Sequence, residues 1–231
     1  MAPQPTLLDR PLLGRPGPPA PPPPMDWMTL GDAFEVACLL RCTPPPATGR
    51  GPVEPYRPAA EFNRQDAALR MRQLLTRLDV PVQHEVVSGG LRRRYELHRL
   101  HVPEEHRATY AELCGAGWRR GRRELLAGPV AGASSARVLW RGRLAAAAWR
   151  SALLAGGRHV RRHILGIRLT DRELAAVLVR SAALLEVPAL LRPGAGCLVV
   201  SVADGPDRLR IIERASLARA RPAGRPSMMV G

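Results

Sequence analysis

The chain has 231 residues, 45% of them apolar, with 35 basic side chains against 20 carboxylates and a formal charge of +15. That content excludes a wholly disordered chain and suffices for the core of one moderate domain or two small ones. No run of about 18 apolar residues is present, which excludes a membrane-spanning helix of the usual kind.

Lysine is absent, so every basic side chain is arginine. Part of that bias is compositional habit, and the remainder creates a field that attracts polyanions, nucleic acid first among them. The four cysteines, Cys38, Cys42, Cys114 and Cys197, are irregularly spaced and read as reduced core residues of an intracellular protein. Cys38 and Cys42 would share a helix face, as would His159 and His163. No second pair stands at zinc-site spacing and arginines crowd the histidines, so neither a metal nor a cofactor is expected.

In chain order, residues 1–29 form a proline-rich leader, with ten prolines before residue 25 and no continuous apolar segment of the kind a secretory signal needs. It reads as a disordered polyproline-type arm. Leu30 to Cys42 is a helix with Asp32 as its N-cap, ended by Pro44, Pro45 and Pro46. A second helix follows Asn63 as cap, buries Ala67, Met71, Leu74 and Leu75, and stops at Leu78-Asp79-Val80-Pro81. Val82 to Val87, a turn at Ser88-Gly89-Gly90 and Leu91 to Leu100 then form a β-hairpin. Pro103 to Leu113 is a third helix, and residues 115–140 read as a linker rich in glycine and arginine. Within it Trp118 stands beside Arg119, Arg120, Arg122 and Arg123, an aromatic among cations that suits stacking on bases or crossing phosphates, or merely solvated charge.

The pattern then repeats. Leu144 to Gly157 is a helix of small residues whose two final glycines suit a left-handed stop. Val160 to Leu169 reads as a strand, Asp171 to Leu185 as a helix ending at Glu186-Val187-Pro188, and Leu198 to Val202 as a strand beyond the Pro193–Gly196 turn. A last helix runs from about Pro206 to Ala218. At one offset of 107, Leu78-Asp79-Val80-Pro81 falls on Leu185-Glu186-Val187-Pro188, Phe62 on Leu169, Met71 on Leu178, Gly89 on Gly196 and Tyr95 on Val202. The chain is thus expected to be a tandem of two α/β units over residues 30–114 and 141–218, with a tail at 219–231.

Residues Ala67 to Leu75, the turn Gly89-Gly90-Leu91-Arg92-Arg93 and the helix Ala148-Trp149-Arg150-Ser151-Ala152-Leu153-Leu154-Ala155 resemble the WhiA family of sporulation and cell-division regulators, over about residues 31–218. The N-terminal domain of that family has the fold of LAGLIDADG homing endonucleases. The resemblance implies an α+β tandem LAGLIDADG-like fold, two α/β units packed through central helices over a saddle-shaped antiparallel sheet. It also implies DNA as partner, held largely by phosphate contacts, in a cytoplasmic, nucleoid-associated transcription regulator that contacts a transcription or cell-division protein. The candidate DNA-binding residues are Arg92, Arg93, Arg94 and Arg99 on the first hairpin, Arg119, Arg120, Arg122 and Arg123, and Arg158, Arg161, Arg162 and Arg168 in the second unit. The family also carries a C-terminal helix-turn-helix domain, for which the residues after Ala218 are too few.

A LAGLIDADG nuclease holds its metal ions with an acid at the foot of each central helix. Those feet are Cys42 and Gly156 here, and no GxSxG, P-loop or HExxH motif is present. The sequence therefore leads to the expectation that the chain is not an enzyme. A protein-interaction module on the same scaffold, without direct DNA binding, is the alternative.

Overall fold

A computed structural model describes residues 25–43, 58–89, 95–128, 134–161, 164–203 and 205–215. The first unit comprises α1 (Trp27–Cys42), β1 (Ala60–Phe62), α2 (Gln65–Arg77), β2 (Gln83–Gly89), β3 (Tyr95–His101) and α3 (Glu104–Leu126). The second comprises α4 (Ser135–Ala155), β4 (Gly157–Arg161), β5 (Ile164–Leu169), α5 (Arg172–Leu184), β6 (Ala189–Gly194), β7 (Cys197–Ala203) and α6 (Pro206–Ala215). The strands form two antiparallel sheets, ordered β1-β3-β2 and β4-β5-β7-β6.

The offset of 107 is structural. α2 and α5 coincide under it residue for residue, and each ends in the same cap. Val80 N–H donates to Leu75 O and Asp79 N–H to Thr76 O; Val187 donates to Ala182 O and Glu186 to Ala183 O. These are Schellman caps, and they place Asp79 at φ 55° and Glu186 at φ 61°. Beyond the hairpin turn the offset shortens. His98 pairs with Phe62 as Leu198 pairs with Leu169, so β3 maps onto β7 at an offset of 100, and Tyr95 does not correspond to Val202 as the sequence suggested.

Several local readings are corrected. α1 starts earlier than expected because Asp26 accepts a hydrogen bond from Thr29 N–H at 2.7 Å, while Asp32 instead pairs with Arg77. Arg64, not Asn63, holds the N-cap position of α2. α4 begins beyond Ser134 rather than at Leu144. The second-unit strand from Val160 to Leu169 divides into the antiparallel pair β4 and β5. Gly156 is extended at φ −71°; a glycine is required there because a Cβ would lie 2.6 Å from Ala152 O and 2.8 Å from an Ile167 methyl.

The largest correction concerns the expected linker at 115–140, most of which is helix. Residues 115–126 continue α3 and residues 135–140 open α4. Gly117, Gly121 and Leu125 recur every four residues and form the buried stripe of α3. A Cβ on Gly117 would stand 2.6 Å from the Ala33 carbonyl carbon, and one on Gly121 2.2 Å from the Phe34 ring. The glycines weaken helix propensity by about 1 kcal/mol each, and close contact with α1 overrides that.

α1 and α4 run side by side in the same direction, with Trp27 against Trp140 at one end and Ser151 Oγ on Glu35 O at 3.2 Å further down. Apolar residues of both sheets pack on the C-terminal halves of these two helices. Ala60, Phe62 and Leu100 cluster with Val36, Leu39, Leu154 and Ala155, and Ile167, Leu169, Val200 and Val202 with Cys38, Cys42, Trp149 and Ala152. Glu35, 2% exposed, lies between the units: Arg70 of α2 grips it bidentately at 2.7 and 2.8 Å, and Arg150 of α4 at 2.7 Å. Replacing Arg150 with Met is expected to lower the unfolding free energy by about 3–5 kcal/mol in urea titrations, because it strips a partner from a buried charge. Arg77→Met, which removes an exposed pair, is expected to cost under about 1 kcal/mol.

Candidate nucleic-acid interface

In both sheets the strand residues alternate between a face packed on the helices and a face that no described element covers. On β5 and β7 the covered face is Leu165, Ile167, Leu169, Val200 and Val202; the open face carries Ile164, Gly166, Arg168, Cys197, Val199 and Ser201. β6 adds Arg192 to it, exposed and in register with Val199. Arg168 is paired with that same Val199, so Arg168, Val199 and Arg192 form one row across three strands. Their Cα atoms span about 10 Å. Pseudo-symmetry carries this row onto Glu61, Arg99 and Glu85 of the first sheet, also one row in register. Arg99 Nε donates to Glu61 at 2.8 Å, and Glu85 lies 3.1 Å from His101 Nε2.

The structure treats the twelve candidate arginines unequally. Arg99 and Arg168 lie on the open faces. Arg158 and Arg161 stand on β4 opposite Ile167 and Ile164, their side chains outside the description. Arg92, Arg93, Arg94 and Arg162 fall outside the described residues. Arg119, Arg120, Arg122 and Arg123 sit on the helix α3 and not on a strand. Trp118 is unavailable for stacking on a base: it is buried, lies parallel to Phe34 with centroids 6.0 Å apart, and donates its Nε1–H to Glu173 at 3.2 Å. Arg122 is taken up by Glu173 at 3.1 Å. Arg192 escaped sequence reasoning because it directly precedes the Pro193-Gly194 turn signal. The repeat held the clue, since it falls on Glu85 at the offset of 107.

At the foot of α1, Arg41 stacks over Trp118 at 3.9 Å and pairs with Asp171 and, at 3.5 Å, with Glu173. Asp171 also caps α5, accepting from Leu174 N–H at 2.9 Å. The foot of α4 is met by Arg64, which donates to Leu153 O and Leu154 O at 2.9 and 3.2 Å. Positions 64 and 171 are equivalents under the offset, so each unit reaches across to the other's central helix.

No protein-family profile matches the chain, and no curated protein matches it in sequence. Solved structures do match. The N-terminal LAGLIDADG domain of DUF199/WhiA has a TM-score of 0.50 at 16% identity, covering 83% of this chain and 85% of that one. Full-length DUF199/WhiA from Thermatoga maritima gives 0.52 at 16%, covering 83% of this chain and 57% of that one. I-DmoI in complex with DNA and Mn gives 0.51 at 16%, covering 82% and 98%. The fold is LAGLIDADG-like. Two α+β units built around paired central helices, as the resemblance implied, are therefore present.

The likeness overturns one expectation. I-DmoI is a homing endonuclease, solved with DNA and manganese and, as a variant, with its target DNA in the presence of magnesium. The scaffold is thus of a nuclease type, and the expectation that the chain is not an enzyme does not stand. Sequence motifs of other folds could not decide the matter, and Asp171 and Glu173, which read in sequence as capping or first-turn acids, are brought by folding to Arg41 at the foot of α1.

Beneath the first sheet, His84 Nε2 and His98 Nδ1 lie 3.2 Å apart, and His98 Nε2 is 3.9 Å from Glu96. Burial, with His98 and Arg72 nearby, holds the His84 pKa below its ordinary value. A depressed folded-state pKa means that the fold binds fewer protons than the unfolded chain. The stability this contributes is present above about pH 6.5 and lost as pH falls below it. Urea midpoints are expected to drop on acidification from about pH 7.5 to 5.5, and His84→Gln to drop less.

Proposed function

We propose that this protein binds duplex DNA across the open faces of its two sheets, as a WhiA-like regulator of transcription in sporulation and cell division. The observation that carries the reading is the Arg168–Val199–Arg192 row, with both open faces on the foot side of the central helices. Two arginines whose Cα atoms stand about 10 Å apart on a sheet face that no described helix covers suit phosphates along a duplex backbone. The likeness to I-DmoI with DNA supports the choice of partner, and the likeness to WhiA, with the residues that resemble that family, supports the regulatory role. In this reading the protein acts in the cytoplasm, associated with the nucleoid.

A second reading, a protein-interaction module, is favoured by one feature. Trp27, Met28, Val138 and Leu139 are exposed on α1 and α4 at the end of the central helices remote from the sheets. Pull-down of a stoichiometric protein that survives nuclease treatment would support it.

Gel shifts with a mixed-sequence duplex test the first reading. Binding is expected at low salt and should weaken about a hundredfold between roughly 50 and 200 mM salt, as four or so phosphate contacts require. No shift even at low salt would refute it. Incubating supercoiled plasmid with magnesium or manganese reports in parallel whether the protein also cuts.

A further inference from the structure

Four large apolar side chains stand open at the N-terminal ends of the central helices: Trp27 is 55% exposed, Met28 68%, Val138 59% and Leu139 69%. Trp27 packs edge-on against Trp140 with ring centroids 5.8 Å apart, which joins the two pairs across α1 and α4. A contiguous apolar patch on the order of a few hundred Å² is the size at which a surface marks a docking site. The charges beside Trp27 say what docks there. Asp26 caps α1 through Thr29 N–H and makes no ion pair among the described residues. Arg143, exposed on α4, lies over the Trp27 ring at 5.4 Å and likewise has no carboxylate among them. Its neighbours on the helix are engaged within the chain, Arg137 by Glu124 at 3.1 Å and Arg141 by the carbonyls of Leu125 and Ala127. One unmatched acid and one unmatched cation thus flank the same ring. A purely acidic partner would leave Asp26 facing like charge, whereas a twofold contact sets each residue of a pair against the other and matches both.

We infer that two copies of this chain join through the N-terminal ends of α1 and α4, with the apolar patches in contact and Asp26 of each copy against Arg143 of the other. A patch of this size supports a weak, reversible dimer and not an obligate one. The charge of +15 on each chain opposes association at low salt, and salt screens that repulsion beyond about 8 Å at 0.15 M. Both open sheet faces lie at the opposite ends of these helices, so the dimer turns its two duplex-binding faces away from each other and tethers two duplexes. That consequence rests on the duplex-binding reading above; the dimer does not.

Sedimentation of the nuclease-treated full chain over about 2 to 200 μM tests the dimer. The mass is expected to rise with concentration from 25.2 kDa towards twice that value, and to rise further at about 0.3 M salt than at 0.02 M. Leu139→Glu and Arg143→Glu are each expected to weaken the dimer about tenfold, and adding Asp26→Arg to Arg143→Glu to recover most of the loss. All but Asp26 are exposed side chains whose replacement leaves the core untouched, and circular dichroism checks that the reversed pair folds. A chain that stays monomeric throughout, or that associates only when DNA or another protein is present, would overturn the inference, as would a dimer indifferent to both single substitutions. Capture of a labelled duplex by a bead-bound duplex tests the tethering: the unsubstituted protein is expected to bridge them, and Leu139→Glu to lose bridging while shifting a single duplex as before. A dimer that binds duplex without bridging would overturn the tethering. Failure to bind any duplex would overturn the duplex-binding reading and leave the dimer standing.

Discussion

Glu35 sits in the middle of α1, almost fully buried, with Arg70 of the first unit on one side and Arg150 of the second on the other. A carboxylate there would be strongly disfavoured if either cation were absent, because its desolvation is offset only by short, well-directed hydrogen bonds. Arg150 in turn donates to Ala215 O at 3.0 Å, so α1, α2, α4 and α6 converge on one charged centre. Around it the contacts are small and close: Ser151 on the Glu35 carbonyl, and Ala145, Ala148 and Ala152 in the core beside Ala37 and Cys38. Apolar packing alone would tolerate sliding of two smooth helices. The ion triad fixes their register, and the register fixes where the two sheets lie. The crossing contacts at the feet, Arg64 to α4 and Asp171 to α1, repeat that constraint at the other end of the unit.

The tandem architecture was legible because the duplicated signal is local. Leu78-Asp79-Val80-Pro81 and Leu185-Glu186-Val187-Pro188 specify a helix stop through nearby backbone groups, and a buried valine with a following proline reads the same in both halves. The shortened hairpin of the second unit was not legible, since turn residues at Gly89 and Gly196 align in sequence while the paired strands behind them do not. α3 was missed for a different reason. Glycine and arginine suggest a solvated loop, but a Cβ at Gly117 would meet the Ala33 backbone and one at Gly121 the Phe34 ring, a requirement visible only once Ala33 and Phe34 are in place.

The candidate interface was legible in part. Alternation in the strand around Arg168 placed it opposite the apolar face. Density of charge was the poorer guide: the most basic cluster of the chain, Arg119 to Arg123, lies along a helix, with Arg122 engaged by Glu173 and Trp118 inside the core. The row that matters is assembled from residues 61, 85 and 99 in one unit and 168, 192 and 199 in the other, and only strand pairing joins them. The carboxylates at the α1 foot are of the same kind. Asp171 and Glu173 look like ordinary first-turn acids in sequence, and the packing of α5 against α1 carries them to Arg41.

If the central clamp sets two sheets side by side so that their open faces receive a duplex, DNA must leave its mark on those strands. Amide hydrogen exchange followed by mass spectrometry, with and without a duplex at low salt, is the most direct measurement. Slowed exchange is predicted in β5, β6 and β7, with a smaller effect in β2 and β3 and none along α3. Protection confined to α3 and the N-terminal ends of α1 and α4, with the strands unchanged, would contradict the account.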